Sequence, residues 1–439
     1  MLSAFGRAFK TPDLRRKLLF TLGIIALYRF GTHVPTPGVS YSLVQQCVAG
    51  ADTSGGFLGL ANLFSGGAML NISIFALGIM PYITASIISQ LLTVVIPRFE
   101  ELKKEGQAGQ AKMTQYTRYL TIALAVLQSA TLITFARNPS QLFGNPSCTN
   151  ILTDDSMVTI LIMVLTMTAG TGLIMWLGEL ITDKGVGNGM SILIFASIAA
   201  YFPAQLNQIR QSDGWDVFLA VMAIGFVIIA LVVFVEQSQR RIPVQYAKRM
   251  VGRQMYGGTS TFIPIKVNMA GVIPVIFASS LIMLPVMVAQ FNTPALGVDP
   301  PQWVMLINRY FGADGSHPVY MITFVVLILF FTFFYVSITF NPTEVADNMK
   351  RYGGFIPGIR AGRPTAQYLS YVLNRITVPG AIYLALVALI PLIAMRWLNV
   401  DQNFPFGGTS ILIIVGVGLQ TLIQIESQLQ QRHYEGFLK

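Results

Sequence analysis

From residue 53 to residue 97 the chain carries no charged side chain, a run of 45 residues. As one continuous helix it would measure ~68 Å at ~1.5 Å per residue, against a bilayer hydrocarbon core of ~30 Å. It cannot be one straight span. It also contains its own break, Ser65-Gly66-Gly67. Residues 57–64 before the break are apolar but only two turns long, and residues 72–96 after it are long enough to cross. Broken backbone at membrane depth is tolerated only where protein or water lines it. A channel or transporter is the expected class.

Composition agrees. The chain is 53% hydrophobic and 11% charged, whereas soluble domains carry about 25% charged residues. Apolar runs of spanning character lie at 18–34, 72–96, 119–136, 158–180, 190–201, 217–235, 270–289, 319–340, 376–395 and 410–425. Their length and lack of charge predict ten transmembrane helices in an all-α polytopic membrane protein. The run at 190–201 is short and Pro203 follows it. Residues 1–17 carry Arg7, Lys10, Arg15, Arg16 and Lys17, and no small-residue cleavage site follows the first span, so that span is expected to be retained.

Ten spans place both termini on one side. That side holds 24 of the 29 Lys and Arg residues. The other side, or span ends near it, holds Arg29, Arg137, Arg210, Arg309 and Arg396. The asymmetry predicts cytoplasmic termini and accounts for the net charge of +10 without invoking nucleic acid. Two loops on the basic side are long and patterned. Residues 237–266 interleave Arg240, Arg241, Lys248, Arg249 and Arg253 with Tyr246 and Tyr256. Residues 341–375 set Lys350, Arg351, Arg360 and Arg363 among glycines and prolines, which displays the charge on turns. Contact with anionic headgroups and docking of a large acidic partner both fit these loops; their length favours docking.

The interior lacks chemistry. Ion-coupled transporters place ionisable groups mid-span, and here such positions are almost uncharged. Arg29 and Glu179 lie near span ends, where snorkelling to the interface is expected. His33, His317 and His433 fall at loops or ends and form no cluster. There is no GxxxxGK[ST], HExxH or GxSxG motif. The glycine-rich stretch from Gly185 to Gly189 follows a span, not a strand, and reads as a tight turn between helices. No catalytic residue, metal or cofactor is expected. Cys47 and Cys148 both fall in predicted exterior loops, where oxidation is open to them; two free thiols and a disulfide both fit.

Several motifs recur in order over essentially the whole chain: Phe64-Ser65-Gly66-Gly67-Ala68, Gly78-Ile79-Met80-Pro81-Tyr82-Ile83, Lys104-Glu105-Gly106-Gln107 and Gln115-Tyr116-Thr117-Arg118-Tyr119. They continue with Gly187-Asn188-Gly189-Met190-Ser191, Gln239-Arg240-Arg241-Ile242-Pro243, the stretch from Val267 to Pro274, Phe355-Ile356-Pro357-Gly358-Ile359-Arg360 and Phe406-Gly407-Gly408-Thr409-Ser410. Together these motifs resemble the SecY family of bacterial protein-conducting channels.

The resemblance implies two inverted, pseudo-symmetric halves of five spans around an hourglass pore, with a re-entrant plug helix. It divides the chain into a cytoplasmic N-terminus at 1–17, spans one to five at 18–208 and span six at 209–236. A basic loop at 237–267, spans seven and eight at 268–340, a second basic loop at 341–375, spans nine and ten at 376–427 and a cytoplasmic tail at 428–439 complete it. The plug would occupy about 57–70 and include Phe57, Leu60, Asn62, Phe64, Ser65, Gly66 and Gly67. An aliphatic pore ring would comprise Ile79, Ile83, Ile194, Ile198, Ile276 and Ile413. From spacing alone, i,i+4 isoleucine pairs are usually lipid-facing or packing contacts, so the ring rests on the resemblance, and a bend is expected at Pro274.

A lateral gate would lie between spans two and three and spans seven and eight, with Thr84, Gln90 and Asn268 on its faces. The basic loops would dock the SecA ATPase motor or the ribosome, through contact with its RNA, using Arg240, Arg241, Lys248, Arg249, Arg253 and above all Arg360. Ala361 stands where the family commonly has proline, which puts the rigidity of that loop tip in question. Small membrane subunits SecE and SecG, accessory SecD, SecF and YidC, secretory precursor polypeptides and membrane lipids are the implied partners. The implied place is the bacterial plasma membrane.

Overall fold

A computed structural model describes residues 9–49, 62, 65–137, 139, 148, 151–154, 156–212, 214–246, 249–251, 254–256, 260–291, 301–311, 317–398 and 408–435. Fourteen helices are found among them: α1 Pro12–Gly31, α2 Tyr41–Ala49, α3 Met80–Val95, α4 Pro97–Lys104, α5 Gln107–Arg137, α6 Met157–Lys184 and α7 Gly189–Ser212. They continue with α8 Gly214–Gln237, α9 Ile273–Phe291, α10 Gln302–Phe311, α11 Pro318–Thr339, α12 Pro342–Arg351, α13 Arg363–Leu398 and α14 Gly408–Glu435. Each of the ten predicted apolar runs overlaps a helix, wholly or in part. By length and hydropathy six helices among the described residues can cross a membrane, seven if α3 and α4 are one broken span; the shorter apolar stretch Ile273–Ile282 lies in α9.

The α3–α4 pair bends by 100°. Ile96 at the joint is extended, with φ −107° and ψ 114°, and Pro97 opens α4. Proline disfavours helical geometry in the residue before it, so α3 ends there. The charged segment that follows carries Glu100, Glu101, Lys103 and Lys104 and buries none of its residues, so it lies outside the apolar layer instead of continuing the span.

The second span starts later than its apolarity predicts. Residues 66–79 form successive turns, and the helix begins only at Met80. Ile72 sits at φ 43°, a left-handed conformation that a β-branched residue adopts only under constraint. The constraint comes from Thr36, whose backbone N–H and hydroxyl both donate to the Ile72 carbonyl, at 3.1 and 2.8 Å.

Neighbouring helices divide into α1, α3, α5, α6 and α7 on one side and α8, α9, α11, α13 and α14 on the other, with α7 packed on both α8 and α14 at the junction. Cys47 and Cys148 are joined by a disulfide, with 5.7 Å between their Cα atoms. The Gly185–Gly189 stretch is the expected tight turn: Gly187 has φ 84° and the Val186 N–H donates to Thr21 Oγ1.

The predicted all-α architecture acquires strands outside the spans. β1 Gln239–Tyr246 pairs antiparallel with β4 Ser260–Lys266 and, through Gln245 and Tyr246 alone, with β5 Gly354–Phe355. β2 Arg249–Val251 and β3 Gln254–Tyr256 form a small hairpin between them. Pro243 fits a strand with neighbours on both sides because β5 stops short of it, so no second ladder needs its missing N–H.

Candidate functional site

All six isoleucines of the expected ring fall in one apolar cluster. Ile79, Ile194, Ile198 and Ile413 are buried in it, and Ile83 and Ile276 pack against it half-buried. They come from four elements: α3, α7, α9 and α14. Ile79 is the N-cap of α3 and Ile83 lies one turn on, its N–H donating to the Ile79 carbonyl at 3.1 Å. Ile194 and Ile198 are four apart on α7 and share one face. The expected bend at Pro274 is absent; Pro274 lies in the first turn of α9, where its missing N–H costs nothing, and the interior proline of that helix is Pro285. Ile276 therefore projects from the first turn of a new helix.

Of the expected plug, Phe57, Leu60 and Phe64 lie outside the described residues. Asn62 and the Ser65-Gly66-Gly67 turn are described, and neighbouring helices hold them. Asn62 Nδ2 donates to the Tyr201 hydroxyl at 3.1 Å, and Asn62 Oδ1 accepts from the Leu70 N–H. Ser65 Oγ donates to the Asn62 carbonyl and accepts from the Met69 N–H. Gly66 and Gly67 have φ 66° and 89°, which only glycine adopts without strain. Arg29 corrects its snorkelling assignment: its guanidinium donates to the Gly66 carbonyl at 2.8 Å. Glu179 pairs with Arg118 through two bonds of 2.7 and 2.8 Å between α6 and α5.

The gate residues are not brought together. Thr84 donates to the Met80 carbonyl on its own helix and Gln90 accepts from Thr93 through its backbone. Asn268 turns the other way. It is buried, and its Nδ2 donates to Glu236 Oε1 of α8 at 2.6 Å and to the Gly271 carbonyl at 3.2 Å. Its Oδ1 and the Tyr383 hydroxyl are buried with no hydrogen-bond partner. A different contact reaches between the two sets of helices: Lys103 Nζ of α4 donates to the Ile338 carbonyl of α11 at 3.4 Å.

The two basic loops meet. The β1–β5 pairing joins them in one sheet whose Ile242, Val244 and Ile265 are buried against Met349, Ile356, Leu369, Val372 and Leu373. Arg240 and Arg241 stay exposed, and the Arg241 guanidinium lies 4.8 Å over the Phe262 ring. Arg249 sits on β2 opposite Tyr256; Lys248 and Arg253 lie outside the described residues. Arg360 is exposed on a turn flanked by Gly358 and Gly362, at φ 84° and 102°. The Thr365 hydroxyl donates to the Arg360 carbonyl at 2.8 Å, which fixes the tip without a proline at position 361. Among the described residues no group of His, Cys, Asp and Glu is arranged to hold a metal.

An apolar cluster fed by both sets of helices thus lies beside the hydrogen-bonded turn at Ser65-Gly66-Gly67. The SecY family model matches residues 73–422. The chain belongs to the SecY family. Its SecY relatives include protein translocase subunits from Streptomyces scabiei, 65% identical, and from Micrococcus luteus, 59% identical, each over the whole of both chains. The subunit of Mycobacterium tuberculosis is also 59% identical with full coverage of both. The fold matches a solved protein conducting channel with TM-score 0.60 at 19% identity, covering 94% of this chain and 91% of that one. The channel of an idle yeast Ssh1 complex bound to the ribosome matches with TM-score 0.60 at 17% identity, over 93% and 88% of the two chains. The sequence reading passed over Tyr28, Ser197, Tyr201 and Glu236 and gave Arg29 a different contact; no local pattern marks their partners.

Proposed function

We infer that this SecY-family protein is a translocation channel in which Ile79, Ile83, Ile194, Ile198, Ile276 and Ile413 form the constriction. The observation that carries this reading is their convergence from four elements into a single cluster between the two sets of helices. A polypeptide in transit presents charged, polar and apolar groups in turn, so a polar site would hold some of them and stall. A short aliphatic collar offers no hydrogen bond or ion coordination to any of them, and when narrow it dewets and opposes ion flow. Residues 57–70 act as the plug that covers the collar. Hydrophobic segments leave sideways between α3 and α5 on one side and α9 and α11 on the other, where Thr84 and Gln90 lie and Lys103 reaches Ile338. Asn268 supports this seam from behind, by holding the start of the seventh span on Glu236.

The basic sheet and the Arg360 turn dock a cytosolic partner: the SecA motor or ribosomal RNA. Arg240, Arg241, Lys248, Arg249 and Arg253 supply further positive charge. The channel sits in the plasma membrane with both termini cytoplasmic, alongside SecE and SecG. It has no catalytic step of its own; the partner supplies the work. The test is to stall a secretory precursor in the channel and crosslink it to cysteines placed by Ile83→Cys and Ile276→Cys. Because the native cysteines are bonded to each other, the introduced thiols react alone. Adducts at both positions are expected, and their absence with a competent precursor would overturn the collar.

A further inference from the structure

Four side chains, Tyr28 and Arg29 of α1 and Ser197 and Tyr201 of α7, converge on the base of the proposed plug. Arg29 Nη1 donates to the Gly66 carbonyl at 2.8 Å. Its neighbour Tyr28, fully buried, lies with its hydroxyl 2.7 Å from Ser197 Oγ and 3.4 Å from the Ser65 carbonyl. Ser197 donates to the Leu193 carbonyl at 2.9 Å, which leaves its oxygen to accept from Tyr28. Asn62 donates to Tyr201 from the plug side. The fit is tight: a Cβ on Gly66 would stand 3.0 Å from Arg29 Nη1 and 3.2 Å from the Ser197 Cα. Among the described residues Arg29 has no carboxylate partner, so its half-buried charge is met by the carbonyl of a left-handed turn.

We propose that Tyr28, Arg29, Ser197 and Tyr201 form a latch that holds the hinge of the plug against the collar, and that its release is a step in channel opening. The proposal rests on the reading of 57–70 as the plug. Two of the collar residues, Ile194 and Ile198, flank Ser197 on the same helix. A polypeptide that displaces α7 from α1 therefore strains the Tyr28–Ser197 contact as it widens the collar, so entry into the pore and release of the plug are mechanically coupled. These are positioning residues: they touch the plug, not the cargo.

The latch is a set of hydrogen bonds to backbone carbonyls and hydroxyls, so near-isosteric changes break it without opening a cavity. In the full-length chain in its native membrane, a cysteine introduced by Met69→Cys is buried behind the turn and is expected to react slowly with a maleimide. Arg29→Met, or Tyr28→Phe combined with Tyr201→Phe, should accelerate that labelling roughly tenfold, the weight of a charge-assisted bond to a carbonyl. Arg29→Lys, which keeps a donor, should restore the slow rate. The same variants should export precursors with weakened signal sequences better than the parent, a gain that mere damage to the fold does not give. Unchanged labelling in both kinds of variant would overturn the latch. So would an equal acceleration at Val232→Cys, buried in α8 far from the plug, because that reports general loosening. Precursor adducts at Ile83→Cys and Ile276→Cys, retained in the same membranes, assign such a failure to the latch; their loss would remove the channel reading instead, with labelling still reporting on the turn.

Discussion

At the scale of single residues, glycines set how closely backbone can pass backbone. A Cβ on Gly170 of α6 would stand 2.2 Å from the Ile74 carbonyl, whereas one on Gly23 of α1 would meet nothing within 4 Å. Both glycines lie inside helices, where alanine is otherwise favoured by up to about 1 kcal/mol. Gly23→Ala should therefore raise the thermal unfolding midpoint slightly. Gly170→Ala should lower it, by the equivalent of about 1–3 kcal/mol, because the obstructing atom belongs to backbone that cannot rotate away. It should also disturb the collar, since Ile74 leads through four residues of turn to Ile79. A midpoint that rises for both variants would refute the close approach. The same scale shows what a sequence hides. Isoleucine pairs at i,i+4 look alike whether they face lipid, a neighbouring helix or a pore. Arg29 reads as a snorkelling cation because its acceptor is 37 positions away, and Asn268 finds Glu236 across 32.

At the scale of elements, the positions of the spans were legible because charge cannot enter the hydrocarbon at low cost. Their starts were less so. Residues 66–79 are as apolar as α3, and apolarity reports burial, not conformation. The strands were legible in principle: Ile242 and Val244, then Ile263 and Ile265, alternate with outward residues in the period of a half-buried sheet, but charge drew the reading toward a loop. The disulfide is the strongest element-level constraint. It closes a sequence separation of 101 and ties α2, just ahead of the proposed plug in sequence, to the segment whose Ile151 and Thr153 pair with Ser40 and Gly38. Its loss should cost about 2–4 kcal/mol. In a thermal shift measurement, reductant should lower the midpoint of the parent, and a Cys47→Ser, Cys148→Ser double variant should start low and ignore reductant. Two alkylatable thiols in the unreduced protein would refute the bond.

At the scale of the whole molecule, the proposed docking separates into charge and scaffold. Arg360→Ala removes a displayed cation from a turn that Thr365 still anchors, so it should weaken translocation driven by a cytosolic partner while leaving the thermal midpoint within about 0.5 kcal/mol of the parent. Ile242→Asp places a carboxylate inside the sheet's apolar cluster and should lose docking by unfolding the scaffold, visible as new protease sites in the two loops. If RNA phosphate is the docked surface, binding by the parent should fall steeply as salt rises, with a shallower slope for Arg360→Ala. Equal salt slopes for the two would exclude Arg360 from the contact.

The pairing of β1 with β5 has a mechanical consequence. Both strands hang from helices of the second set, and the cluster beneath them is drawn from that set alone. The disulfide and the bonds that hold Asn62 and Gly66 belong to the first set. A partner that grips the sheet thus holds one jaw of the molecule and leaves the other free. If a partner docks there, any push it delivers enters through one set of helices and reaches the other by way of the α7–α8–α14 junction.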